Sequence, residues 1–149
     1  MRRARCDRGV VGFELLPFLV LVFVFGILLF AQAWAVIDAK LATSAGAREA
    51  ARTFVETPAD FGDAAAVSAA LEAGHRASES HGRPTAVVRL LDGGSLERCA
   101  RVTFEATEVI PILRIPLVGG AGSMTVRSTH SEIVDPYRDG LATGAGCAL

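Results

Sequence analysis

The sequence predicts a membrane-anchored α+β protein, in which one long N-terminal helix precedes a small head with a short helix and a roughly three-stranded antiparallel sheet. Three observations carry this expectation. Residues Leu15 to Ile37 contain no charged side chain, the next twenty are rich in helix formers, and the last third alternates apolar with polar residues.

The uncharged run, LLPFLVLVFVFGILLFAQAWAVI, exceeds the roughly 18 residues that suffice to cross a bilayer core as a helix. The composition agrees with lipid contact: 51% of the 149 residues are apolar, and the mean hydropathy is +0.40. Arg2, Arg3, Arg5 and Arg8, set against Asp7, form a basic leader over residues 1–9. By the positive-inside rule this leader stays in the cytoplasm and the head, residues 58–149, lies outside the cytoplasm. Trp34 falls near the outer end of the run, where an indole favours the interface.

The expected helix covers residues 10–57, with its transmembrane part at about 15–37. Pro58 stops it, because the residue before a proline resists the α conformation. At 1.5 Å per residue such a helix is about 65–70 Å long, more than spanning requires. Ala35, Ala39, Ala42, Gly46 and Ala50 recur close to one face. That spacing either lets a second helix backbone approach closely or reflects an alanine-rich composition.

A short helix is expected around residues 60–80, with Asp near its start and Gly74 or the polar HRASESHGRP as its end. TAVVRLL at 85–91 and RVTFEATEV at 101–109 read as two strands around the Asp92-Gly93-Gly94-Ser95 turn. In the second, Val102, Phe104 and Ala106 point inward, and Thr103, Glu105 and Thr107 outward. MTVRSTHSEIV near 124–134 supplies a third strand. Between them, IPILRIPLVGGAGS is apolar, yet Pro111 and Pro116 bar it from a central strand. It either folds back over the core or offers a surface to a partner or to the outer leaflet. Asp135-Pro136-Tyr137-Arg138 reads as a turn with Tyr137 laid on the sheet edge.

Several function classes find no support. The net charge is −1, so no basic field favours nucleic acid. Of the fifteen basic residues four stand in the leader, leaving eleven after the apolar run; Asp7 and Glu14 precede that run, leaving fourteen acidic ones after it. His75, His81 and His130 share no metal-ligand spacing, and no nucleophile elbow, phosphate loop or dinucleotide fingerprint occurs. No cofactor and no enzymatic activity are expected. Cys6 would remain on the reducing side, whereas Cys99 and Cys147 reach an oxidising compartment, where they either pair or persist as thiols. Pairing would close a loop of about 50 residues, stabilising by roughly 2–4 kcal/mol.

The informative motif is Arg8-Gly9-Val10-Val11-Gly12-Phe13-Glu14, directly ahead of the apolar residues. It resembles the processing site of pilins and pseudopilins, which implies cleavage by a prepilin peptidase between Gly9 and Val10, with Glu14 as fifth residue of the mature chain. A carboxylate at the edge of a membrane helix costs a few kcal/mol unless something neutralises it. In the pilin pattern the amine of a neighbouring subunit does so, which turns the cost into a registry device for assembly. The plainer reading of Glu14 is a glutamate exposed to headgroups.

The same leader, followed by SAGAREAAR at 44–52 and HSEIVDPYR at 130–138, resembles TadE-like proteins, particularly the small ones of high-GC Gram-positive bacteria. Glu14-Leu15 stands where Glu-Phe is frequent, and Pro17 comes earlier than the usual proline. The resemblance implies a minor pilin or pseudopilin of the Flp (tight adherence) pilus system. Its implied partners are the lipid membrane, a prepilin peptidase, other TadE-like or TadF-like subunits and the pilus assembly platform. Two alternatives stay open: a secreted protein cut after a small-x-small site at Ala31-Gln32-Ala33 or Ala33-Trp34-Ala35, and an uncleaved single-pass anchor with a binding head.

Overall fold

The computed structural model describes residues 11–112, 122–144 and 147, with the backbone alone for residues 11–14. In chain order the elements are α1 (Val11–Glu56), a single 3-10 turn (Ala59–Phe61), α2 (Asp63–Ser80), β1 (Val87–Asp92), β2 (Arg101–Pro111) and β3 (Ser123–Ile133). The long apolar helix, the short helix and the three-stranded antiparallel sheet are thus all present. The chain divides into two compact units, one ending at Trp34 and the other running from Ala35 to Leu149.

In the first unit α1 continues through Pro17. Phe18, Leu19, Phe23, Leu29 and Phe30 are all exposed, and Phe30 stacks on Trp34 one turn later, with ring centroids 6.4 Å apart. Apolar side chains turn outward on all sides here and are not covered among the described residues. By length and composition this helix can cross a membrane; its apolar window has a mean hydropathy of 2.6 and is 0% buried.

The second unit is a two-layer α/β sandwich, with helices on one face of the sheet. The strands run in the order β1-β2-β3, each antiparallel to its neighbour. Alternation along β2 turns Val102, Phe104, Ala106, Glu108 and Ile110 to the helices, all of them buried. Ala39 of α1 packs with Ile110 and Val126, while Phe54 meets Phe104 at 6.1 Å. The part of α1 within this unit therefore runs antiparallel to β2. Thr43 Oγ1 and Ser128 Oγ, 2.8 Å apart, bind the same helix to β3.

The small-residue stripe has its partner inside the chain. Ala42, Gly46 and Ala50 are buried, and Ser78 Oγ of α2 lies 3.4 Å from the carbonyl of Ala42. Gly74 does not end α2, which runs on to Ser80. It lies so close to α1 that a side chain would not fit, so here a glycine marks close packing rather than termination. The start of α2 also differs from expectation. Asp60 belongs to the 3-10 turn, Gly62 at φ +76° breaks the path, and α2 begins at Asp63. Asp63 Oδ1 accepts from the backbone N–H of Leu96, which ties the helix start to the loop before β2.

Pro111 marks another difference, because β2, the central strand, extends through it. The N–H of Ile112 donates to the carbonyl of Gly122, so the neighbouring pair Pro111 and Ser123 is one that exchanges no ladder bonds. The missing N–H of Pro111 faces the β1 side. β1 begins at Val87, opposite Thr107, and does not reach that far, so no ladder bond is lost. Pro116 lies outside the described residues.

Candidate functional site

Among the described residues, those singled out in the sequence are not gathered at one site. Gly9 and Val10 lie outside the described residues. The backbone of Glu14 belongs to the first turns of α1, and its side chain lies outside the described residues. Cys99 and Cys147 are joined by a disulfide, with Cα atoms 5.1 Å apart and a separation of 48 positions along the chain. Cys99 has φ +61°, a left-handed backbone that residues other than glycine rarely adopt, and its N–H donates to the carbonyl of Val134. A parallel bridge between Arg98 and Thr143 lays the following tail beside this corner.

The three histidines stay apart in function. His75 Nε2 bonds the carbonyl of Pro84, His130 Nε2 lies 3.5 Å from Glu132 Oε1, and His81 follows the last residue of α2. Among the described residues no three His, Cys, Asp or Glu side chains are grouped to hold a metal ion. An open groove of about 620 Å³ is lined by Arg48, Glu49, Arg52 and Glu56 of α1 with Ala45, Ala77 and Glu132. Within it Glu56, at 2.9 Å, raises the pKa of the Arg52 guanidinium, and Glu49 adds to the shift, so this arginine remains a fixed cation.

The head instead carries several polar clamps. Asp38, the first charge after the apolar run, accepts from Arg83 Nε and Nη2 at 3.1 and 2.8 Å, and Arg83 also reaches the carbonyl of Ala35. Arg83 thereby fastens the α2–β1 connection to the start of the head's helix. At the opposite end, Arg138 donates to the carbonyls of Val55, Glu56 and Thr57. These are groups that a helix C-terminus leaves without intrahelical partners, and a guanidinium suits the negative end of the helix dipole.

On the sheet face away from the helices, Glu105 is only 3% exposed although it points outward. Arg89 of β1 lies directly opposite on one side, and Arg127 of β3 lies diagonally on the other, at 3.3 Å. The two long side chains cover the carboxylate from both flanks. On the helix face, buried Glu108 accepts from Thr85 Oγ1 at 2.7 Å, and its Oε2 has no hydrogen-bond partner among the described residues. Lys40, the chain's one lysine, reaches from α1 to the carbonyl of Arg127 at 2.5 Å.

None of these clamps stands out in the sequence by spacing. Arg138 gave the best signal, since it closes the Asp135-Pro136-Tyr137-Arg138 turn. That turn is present: the N–H groups of Tyr137 and Arg138 donate to the Asp135 side chain and carbonyl. Tyr137, however, is 89% exposed and does not lie on the sheet edge, while Arg138 of the same turn reaches the end of α1. The arrangement as a whole is one of fixed ion pairs and capped backbone, suited to holding surfaces in place. Comparison of the chain with known protein families, with characterised proteins and with solved structures returns no match.

Proposed function

We propose that this chain is a non-enzymatic, pilin-like assembly subunit of the TadE type, a minor pilin or pseudopilin of a Flp-type pilus system. Its apolar helix holds it in the cell membrane, with the leader in the cytoplasm and the head outside. The observation that carries this reading is the spacing of Gly9 and Glu14 at the head of a run with no charge from Leu15 to Ile37. Helix α1, unbroken from Val11 to Glu56, supports it by joining that run to the head without a linker. A prepilin peptidase cuts after Gly9, and Glu14 then takes the amine of a neighbouring subunit as its counter-charge.

N-terminal sequencing of the mature protein from a pilus-forming host tests the reading. Val10 at the N-terminus supports it, and Met1 leaves an uncleaved anchor. A Gly9→Phe variant is expected to retain full size, and Glu14→Ala to insert normally while assembling poorly. Unchanged size and unchanged pili in both variants would sink the assignment. One observation favours signal-peptide removal instead: small-x-small sites end at Ala33 and Ala35, where the second compact unit begins. Trp34 or Val36 at the N-terminus would establish that alternative.

A further inference from the structure

The head is chemically different at its two ends. At the end where the chain enters, Ala39 packs under Ile110 and Val126, so the α1 turn around residues 36–41 lies beside the end of the β2–β3 hairpin. Side chains at this end that could have been covered are not. Ile37 is 52% exposed and Leu41 59% on the helix, and Val109 is 59%, Ile112 45% and Met124 37% exposed on the hairpin. Scattered exposed apolar residues are ordinary, but Ile37, Leu41, Ile112 and Met124 gather at one end of this unit, whereas Val109 alternates onto the sheet face away from the helices.

Charge follows the same division. Lys40, Arg83 and Arg127 stand at the entry end against Asp38, Glu105 and buried Glu108, with Arg83 paired to Asp38 and Arg127 to Glu105. The far end, where Arg138 caps α1, carries Glu56, Asp60, Asp63, Asp135 and Asp139 against Arg52, Arg98 and Arg138. The named charges balance at the entry end and leave the far end acidic, so a negatively charged surface tolerates the entry end better than the other.

We infer that the entry end is a bilayer-docking surface: Ile37, Leu41, Ile112 and Met124 settle among the headgroups, while Lys40 keeps its cation at the level of anionic phosphates. The inference rests on the membrane anchoring proposed above. Its occupant is a lipid surface because the patch adjoins Ile37, the last residue of the uncharged run, within the same helix. Four positions at 1.5 Å each put Leu41 only about 6 Å further along the axis than Ile37, within the thickness of a headgroup layer. Apolar side chains beside a long cationic one are what such a layer accommodates.

The full-length chain carrying Cys6→Ser, in nanodiscs of phosphatidylglycerol and phosphatidylcholine, provides the test. An environment-sensitive fluorophore is placed singly at Ile112→Cys, Met124→Cys, Val24→Cys or Phe61→Cys, and lipids bearing a nitroxide near the headgroup or deep in the acyl chain serve as quenchers. Headgroup nitroxide is expected to reduce emission at positions 112 and 124 by roughly twofold or more, to leave position 61 unaffected, and to act more strongly in the anionic lipid. Deep quenching at position 24 without quenching at 112 and 124 would overturn the docking surface while leaving the anchor intact. No quenching at 24 would remove the anchor itself. Shielding at 112 and 124 that persists without lipid quenching and disappears at one copy per disc would assign the patch to a second copy. Hydrogen exchange on the unlabelled chain covers the case of a misfolded variant: residues 122–126 should exchange about tenfold more slowly in nanodiscs than in detergent, and equal rates argue against docking.

Discussion

Gly74 and Gly46 meet backbone to backbone where α2 packs on α1: a methyl group on Gly74 would stand 2.7 Å from the carbonyl oxygen of Gly46. It would also press on Ala50 Cβ and Val88 Cγ1 at 3.0 and 3.1 Å, so no flexible group can yield. Gly74→Ala is expected to destabilise the head by about 1–3 kcal/mol, the range of overpacked cores. Gly26→Ala meets nothing within 4 Å and serves as the control. Thermal unfolding followed by circular dichroism would separate the two, and equal melting temperatures would contradict the close approach.

Arg138 caps α1 from a distance of more than eighty residues along the chain. Arg138→Met keeps much of the aliphatic stem and removes the donors to three carbonyls. The expected cost is about 1–3 kcal/mol, as for hydrogen bonds made by a charged group. A denaturant midpoint unchanged from wild type would mean that water replaces the guanidinium without loss.

Glu105 and its two arginines should respond asymmetrically. The carboxylate is 3% exposed, whereas Arg89 and Arg127 are 55% and 59% exposed. Replacing both arginines by methionine strands a buried charge, at a cost of about 3 kcal/mol. Glu105→Gln leaves two solvated cations and should cost about 1 kcal/mol or less. Chemical denaturation of the two variants checks the order, and the reverse order would refute it.

Lys40 guards an edge. β1 is short and its register shifts between Leu90 and Asp92, but β3 is eleven residues long and pairs in unbroken register with β2 alone. In the ladder set by Ile112 and Gly122, the odd-numbered residues of β3 turn their N–H and C=O groups away from β2, and Lys40 holds the carbonyl of Arg127 on that side. Lys40→Met is expected to raise the share of dimers and larger species in detergent, read by light scattering after size exclusion. Lys40→Arg should stay at the wild-type level.

Much of this architecture was legible in residue order. The long apolar helix, its continuation into the second unit and the alternation of Val102, Phe104 and Ala106 follow from local periodicity, and they appear where expected. What depends on a partner from elsewhere in the chain did not. Gly74 resembles a helix stop until α1 is placed against it, and Pro111 resembles a strand breaker until β1 is seen to begin at Val87. Glu105 alternates correctly outward, yet it is buried, because only the register shows two arginines closing over it. Of the candidate site, Gly9 and Glu14 are visible by spacing alone, while the clamps at Arg83 and Arg138 required tertiary contacts.

The bond between Cys99 and Cys147 turns the stretch from 99 to 147 into a closed ring that contains β2, β3 and the turn bearing Arg138. A single cut anywhere within a ring makes two ends but no loose piece. A protease that nicks this stretch once would leave a chain of unchanged mobility under oxidising conditions, which falls into two fragments only when the bond is reduced. The loss of one peptide bond there would not detach the sheet from the helix that carries it.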